Sequence, residues 1–269
     1  MVSIIICFYE RLTNLKCCLD SLRFCSEDFD EVIITDDGSS QETVAKLQKL
    51  LVDYPFPIEY VWQENRGFRV AAARNNGIRK AKGDYLIFFD CDFLILPSTV
   101  RMHRNLAKPR RFVAGNCKYL NKEQTDLVLN STITPDLLRS LYASTPDTEL
   151  YKDHMRYIRR TILMHLGLVS PRKQCLGGHF SIHRTDIEQV NGYDENFVGW
   201  GGEDEDLGIR LVKAGIFCRS GLPQLKVLHA WHPPQIANRN WQHGPNIAYF
   251  NRSDVPAICV NGLRKLDAE

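Results

Sequence analysis

The chain has 269 residues and is 44% hydrophobic, enough to pack one large α/β domain or two fused halves. Its net charge of +2 gives none of the basic bias that marks a nucleic-acid partner. No stretch nears the roughly 18 apolar residues of a membrane span, the run Ile4 to Ile6 is too short for a signal peptide, and nine scattered cysteines without CxxC spacing suit a reducing compartment. The expectation is a cytoplasmic protein with no integral membrane segment, peripheral association with the inner membrane face being left open. Arg101 to Arg111 and Lys152 to Arg160 are locally basic. A solvated helix face explains them, and a site for an anionic or lipid-phosphate acceptor is the other reading.

The first half alternates strand and helix. Val2 to Cys7 is a continuous apolar run, as in a parallel strand buried on both faces. Leu12, Leu15, Leu19 and Leu22 recur at helical spacing. Glu31 to Thr35 predicts a second strand, closed by Asp36 and Asp37. Ser39 and Glu42 have capping-box spacing ahead of a helix through Val44, Leu47 and Leu51. A short strand over Ile58 to Trp62, a helix from Val70 to Ala81 and a strand over Tyr85 to Phe89 follow. This order predicts a mostly parallel sheet with helices on both faces. Ligands of such sheets bind at the carboxyl ends of the strands, so Tyr9, Asp36, Asp37, Asp90 and Asp92 should gather at one edge.

Residues 121–175 break the alternation and read as a partly helical insertion between a donor half, 1–120, and an acceptor half, 176–269. Lys226 to Leu228 predicts a short strand ending at His229. The polar run from Pro233 to Asn246 reads as a loop-like segment that orders over a bound donor.

D-x-D triplets occur at Asp28, Asp90 and Asp204, and only the second directly follows a run as apolar as Leu86-Ile87-Phe88-Phe89. Its carboxylates therefore emerge at a strand end, where they can hold a hard divalent cation. Ahead of it stand Asn65-Arg66-Gly67, Ala73-Arg74-Asn75, Gly77-Ile78 and Ala81-Lys82-Gly83-Asp84-Tyr85. With Cys7-Phe8-Tyr9-Glu10 and Asp36-Asp37-Gly38-Ser39, this series resembles the nucleotide-binding half of glycosyltransferase family 2 across residues 2–95. The resemblance implies a GT-A fold. It also implies that Tyr9 packs on the base, that Asp36 or Asp37 accepts the base's ring N–H, that Arg74 lies near the diphosphate, that Asp90 approaches the ribose and that Asp92 holds the metal.

The second half contains Gly177-Gly178-His179-Phe180-Ser181, Asn191-Gly192-Tyr193-Asp194-Glu195, and a block from Gly199 to Leu207. That block resembles the acceptor signature of the beta-1,4-galactosyltransferases and the catalytic domains of bacterial chondroitin polymerases. It implies that Trp200 stacks on sugars, that Glu203 binds the acceptor and that Asp204 is the catalytic base. Gly201 and Gly202 would let backbone approach the acceptor closely. The structural explanation for the acids is compensation of a helix N-terminus. The same resemblance implies a histidine metal ligand, His229 or alternatively His232.

Together these readings imply an inverting, metal-dependent enzyme. It would use Mn²⁺ or Mg²⁺ and UDP-galactose, UDP-GalNAc or UDP-GlcNAc, with a glycan or lipid-linked glycan as acceptor. A sugar nucleotidyltransferase would need a Gly-rich, Arg-containing loop after the first strand, which Cys7 to Arg11 is not. A non-catalytic glycan-binding relative would be expected to lack the base or the metal residues.

Overall fold

The computed structural model describes residues 1–146, 150–169, 179–233 and 243–266. The elements run β1 Val2–Phe8, α1 Leu12–Leu22, β2 Glu31–Asp36, α2 Gln41–Leu51, β3 Ile58–Trp62, α3 Val70–Lys80 and β4 Tyr85–Asp90. Then come β5 Phe93–Ile95, α4 Thr99–Leu106, β6 Arg111–Gly115 and β7 Lys118–Tyr119. The helices α5 Lys122–Leu129, α6 Pro135–Ser144 and α7 Leu150–His165 follow. The chain continues through β8 His179–His183, α8 Arg184–Gln189, α9 Glu203–Lys213, β9 Phe217–Ser220, β10 Val227–His229 and α10 Ile247–Phe250.

Seven strands form the main sheet in the order β3-β2-β1-β4-β8-β6-β9. The pairings among β1 to β4 are parallel, and β8 runs antiparallel to both β4 and β6. The alternation of β1 is used on both faces. Ile4, Ile6 and Phe8 pack with Leu15, Leu19 and Leu47 of α1 and α2. Ile5 packs on the other face with Ala71 and Ile78 of α3 and Leu207 and Leu211 of α9. Full burial contributes about 1.5–3 kcal/mol for each large aliphatic side chain, so this two-sided core fixes the register of β1 against slippage. The architecture is the mostly parallel α/β sheet expected from the sequence.

A second, three-stranded sheet joins β5, β10 and β7. Its central strand β10 matches the short strand expected to end at His229, but its partners β5 and β7 have no counterpart in the sequence reading, because strands this short carry almost no periodic signal. Its effect is decisive for the site. Antiparallel pairing sets His229 opposite Phe93, the residue after Asp92, and the Ala230 N–H donates to the Asp92 carbonyl at 2.9 Å.

Two expectations need correction in detail, the cap of α2 and the loop-like C-terminal region. The N-cap of α2 is Ser40, whose Oγ accepts from the Thr43 N–H at 3.3 Å. Ser39 is held out of that role, because its N–H donates to Asp36 at 2.8 Å and its hydroxyl accepts from the Glu10 N–H at 2.8 Å. The capping box is instead at Asn121 and Gln124, opening α5. Where described, the region 121–175 is partly helical: α5 and α6 cover an apolar cluster with Leu94, Leu96 and Leu228, while Tyr157 of α7 joins the core on the α3 side of the main sheet. The C-terminal region also contains a helical turn, α10, that the polar composition concealed. The Gly177-Gly178 pair and residues 234–242 of the anticipated donor-covering segment lie outside the described residues. Among the described residues no helix is long and apolar enough to cross a membrane, and eight cysteines are free thiols.

Candidate active site

The strand ends deliver the expected residues to one edge. Tyr9 follows β1 and is 41% exposed, and its hydroxyl accepts from Asn65 Nδ2 at 3.2 Å. Asp36 ends β2 and Asp37 follows it, and both are buried. Besides the Ser39 N–H, Asp36 accepts from the Tyr60 hydroxyl at 2.6 Å. Asp37 accepts from Gln63 Nε2 at 2.6 Å and from the Arg69 N–H at 2.7 Å. Loss of water raises the Asp37 pKa, opposed by the bonds from Arg69 and Gln63. The Asp37 carboxylate therefore braces the loop at residues 63–69, the Asp36 carboxylate ties β3 to the turn at Ser39, and each oxygen keeps a second lone pair to offer.

Asp90 and Asp92 close β4. Asp92 is nearly buried, and its Oδ2 receives Arg11 Nη1 at 2.7 Å. His229 Nε2 lies 3.7 Å from Asp92 Oδ1, and His232 Nε2 lies 3.4 Å from Oδ2. One ligand atom from each of the three residues falls within 4.8 Å of the other two. Asp92 Oδ1 and His229 Nδ1 are buried without a hydrogen-bond partner. His232 Nδ1 lies 2.9 Å from the Pro233 carbonyl; donating there fixes the tautomer and leaves an Nε2 lone pair facing Asp92. The orphaned oxygen, Oδ1, faces the His229 ring, and the His232 lone pair faces Oδ2, so one carboxylate and two imidazoles converge as a nitrogen and oxygen donor set. The residues fit a divalent cation, and the geometry brings both candidate histidines to Asp92.

Across the cleft, Gly199, Gly201 and Gly202 all have positive φ, and Gly202, at +94°, is the N-cap of α9. Only glycine takes that conformation cheaply. The loop is pinned from both sides. The Gly199 N–H donates to the Phe68 carbonyl at 2.8 Å, and Asn246 Nδ2 donates to the Gly199 and Gly201 carbonyls at 3.1 and 2.9 Å. Trp200 is half-buried at its centre.

The four acids fill the first turn of α9, as expected, but they do different work. Asp206 is fully buried, bound to Arg210 at 2.6 Å and Arg252 at 2.7 Å, and is structural. Glu203 and Asp204 turn to Arg74, whose Nη1 lies 3.4 and 3.0 Å from their carboxylates while its Nη2 lies 3.3 Å from Asp90. One guanidinium thus ties the end of β4 to the start of α9. Burial alone would lower the Arg74 pKa, but Asp204, Tyr193, Asp90 and Glu203 raise it, so it stays charged.

Burial raises the Glu203 pKa from 4.5 to about 8, with Asp204 adding to the shift and Arg74 opposing it. Between those values the folded protein holds a proton that the unfolded chain has lost. Stability therefore falls as pH rises through that window. Calorimetry of the ligand-free protein should show the thermal midpoint dropping across it and Glu203→Gln flattening the slope. An unchanged slope in the mutant contradicts this assignment.

Beneath the acids lies a buried chain that sequence spacing does not announce. His179 Nε2 is 3.1 Å from the Asn116 carbonyl, His179 Nδ1 is 3.2 Å from His103 Nε2, and His103 Nδ1 is 2.7 Å from the Ser181 hydroxyl. If His179 donates to the carbonyl, each later donor and acceptor is fixed in turn. Burial lowers the pKa of His179 to about 4 and that of His103 well below its usual value, so both stay neutral. A Cβ at Gly115 would fall 2.0 Å from the His179 ring, which excludes any other residue there. The cleft above is lined by Arg74, Asp90, Asp204, His179 and Phe180. Arg11, His103 and Asn246 are the site-building residues that no motif pointed to.

The model of glycosyl transferase family 2 matches residues 3–167. The chain belongs to glycosyl transferase family 2. A second model, described as the N-terminal domain of galactosyltransferase, matches residues 159–225 of this family 2 chain, across the α9 acids. The chain is 32% identical over 229 residues to validoxylamine A glucosyltransferase from Streptomyces hygroscopicus subsp. jinggangensis, with 80% of the chain and 52% of that protein covered. It is 28% identical over 236 residues to chondroitin synthase from Escherichia coli, covering 81% of the chain and 33% of that protein. The chain thus spans about half the length of the first relative and a third of the second. In fold, it is similar to a mannosyltransferase from Pyrobaculum calidifontis in complex with GDP-Man and Mn2+, with TM-score 0.57 and 17% identity over 90% of this chain and 59% of that one. It is likewise similar to the catalytic domain of Drosophila beta1,4galactosyltransferase 7 in complex with xylobiose, with TM-score 0.56 and 13% identity over 97% and 82% of the two chains. These likenesses place the fold among the GT-A glycosyltransferases.

Proposed function

We propose that this chain is an inverting, metal-dependent glycosyltransferase that moves galactose, GalNAc or GlcNAc from its UDP-sugar to a glycan or lipid-linked glycan. The observation that carries the reading is the double engagement of Arg74, with Asp90 on the donor side and Glu203 and Asp204 on the acceptor side, beside the Asp92–His229–His232 cluster. Donor and acceptor halves thereby share one reaction centre. Transfer needs the two substrates aligned, a base for the acceptor hydroxyl and compensation for the leaving diphosphate.

Each need has a residue. Tyr9 stacks on the base, while Asp36 or Asp37 accepts its ring N–H. Asp90 approaches the ribose. Trp200 gives the acceptor sugar a flat apolar surface, and Gly201 and Gly202 let it approach the backbone. Glu203, protonated near neutral pH, can donate a hydrogen bond to the acceptor. Asp204 is the more accessible of the pair, its side chain 28% exposed against 9% for Glu203. It takes the proton from the attacking hydroxyl at a carboxylate oxygen. Arg74, released from its carboxylates, binds diphosphate oxygens through its guanidinium fork. Asp92, His229 and His232 would hold a divalent cation that neutralises the diphosphate. A mixed nitrogen and oxygen set suits Mn²⁺ better than Mg²⁺ or Ca²⁺, which favour oxygen ligands alone.

The relatives' names support sugar transfer and differ in the sugar. Release of UDP from UDP-galactose, UDP-GalNAc, UDP-GlcNAc and UDP-glucose with Mn²⁺, beside GDP-mannose, tests the reading. Cleavage of one of the first three is expected. Cleavage of GDP-mannose alone, or of no donor by folded protein, overturns it.

A further inference from the structure

Helix α7 is inverted in character relative to an ordinary surface helix, which turns its apolar stripe to the core. Its inner face is fully docked. Tyr157 and Met164 are buried, His154 Nδ1 meets Ser220 Oγ at 2.8 Å, the Thr161 hydroxyl donates to the Cys218 carbonyl at 3.4 Å, and the His165 ring stacks on Phe217. The helix is therefore fixed against β9, the edge strand of the main sheet. Its outer face carries Tyr151, Met155, Ile158 and Ile162, continued by Leu166 just past its end, and these are 38–70% exposed. Spacings of three and four residues align them in one stripe, about 22 Å long at 1.5 Å per residue.

Among the described residues the exposed charges on α7 are positive. Lys152, Arg156 and Arg159 are exposed along its flank, and Arg111, on β6, reaches the end of the helix with Nη2 3.2 Å from His165 Nε2. The only acid of α7, Asp153, is drawn inward by Asn116 at 3.1 Å and pairs with Arg156 at 2.8 Å. The cores of protein interfaces are depleted of charge, with polar groups of both signs at the rim. An apolar stripe edged by lysine and arginine is instead the pattern of helices that lie in a membrane interface.

We propose that the outer face of α7 docks on an anionic lipid bilayer, with Tyr151, Met155, Ile158, Ile162 and Leu166 entering the headgroup boundary and the cations meeting lipid phosphates. The surface is independent of the donor and of the reaction. It lies one contact from the cleft floor, because Asn116, which holds Asp153 of α7, also accepts His179 through its carbonyl. Docking there would bring the acceptor side of the cleft to a lipid surface.

Co-sedimentation of the chain with vesicles of phosphatidylcholine plus phosphatidylglycerol, and of phosphatidylcholine alone, tests this. Binding to the anionic vesicles is expected, weakening as salt rises. Lys152→Glu with Arg159→Glu should lower partitioning about tenfold or more, and Ile158→Glu with Ile162→Glu should do at least the same. Unchanged circular dichroism and thermal midpoints would show that both variants fold. The proposal is overturned if wild type ignores anionic vesicles, binds neutral ones equally well, or is matched by either variant. It is also overturned if gel filtration shows a dimer that Ile158→Glu with Ile162→Glu dissolves, since the face would then join two copies of the chain.

Discussion

Asp204→Asn should lower the transfer rate by about 10²- to 10⁴-fold, the usual contribution of a general base. The substitution keeps the size of the side chain and removes its proton-accepting charge. Donor affinity should survive, because Asp92, His229 and His232 are untouched. Trp200→Ala should separate from it cleanly. Loss of a stacking surface raises the acceptor KM and leaves the rate at saturating acceptor close to normal. Single-turnover rates at saturating acceptor, beside donor titrations, distinguish the two. Near-normal turnover in Asp204→Asn would leave the α9 acids as helix-terminal charges and would move the base to Glu203 or Glu205.

Asp92→Ala should abolish both transfer and the Mn²⁺-dependence of UDP binding. Asp92 is approached by both histidines and by Arg11. Its loss would leave two imidazoles without the carboxylate that joins them. Mutation of a group that merely orients a metal ligand costs about 10- to 100-fold in affinity, so His229→Ala and His232→Ala should each cost at least that, and the pair should match Asp92→Ala. Calorimetric titration of UDP with Mn²⁺ and with EDTA checks this. A folded Asp92→Ala protein with wild-type, metal-dependent UDP binding contradicts the assignment. If only one histidine variant is damaged, the other histidine is not a ligand.

The donor half was legible because its signals are periodic and local. Continuous apolar runs marked β1, β2 and β4, and strand ends must present their next residues at one edge. The α9 acids were legible as a group, but not individually. Nothing in Glu203-Asp204-Glu205-Asp206 says that Asp206 turns inward to Arg210 and Arg252 while Asp204 turns to Arg74, because helical phase and tertiary packing decide it. The choice between His229 and His232 was not legible either. It depends on β10 pairing with β5, in strands of three residues whose register is set by the small sheet and not by their composition. Arg11 was silent for a similar reason: its partner Asp92 is 81 positions away, and no spacing rule links them. The outward stripe of α7 was hidden because its spacing is that of a core-facing helix. Only the contacts of Tyr157, His154 and Thr161 with the rest of the fold show which side is turned out.

The proposed reaction is a single displacement at the donor's anomeric carbon in one cleft, with Asp204 as base and Asp92, His229 and His232 as metal site. Proton NMR of donor cleavage in the absence of acceptor, followed from the first turnovers in Mn²⁺ and in EDTA, tests it most directly. From an α-linked UDP-sugar the first free sugar to appear should be the β anomer, before mutarotation, and none should appear in EDTA. An α anomer formed first, or cleavage indifferent to EDTA, would contradict the account.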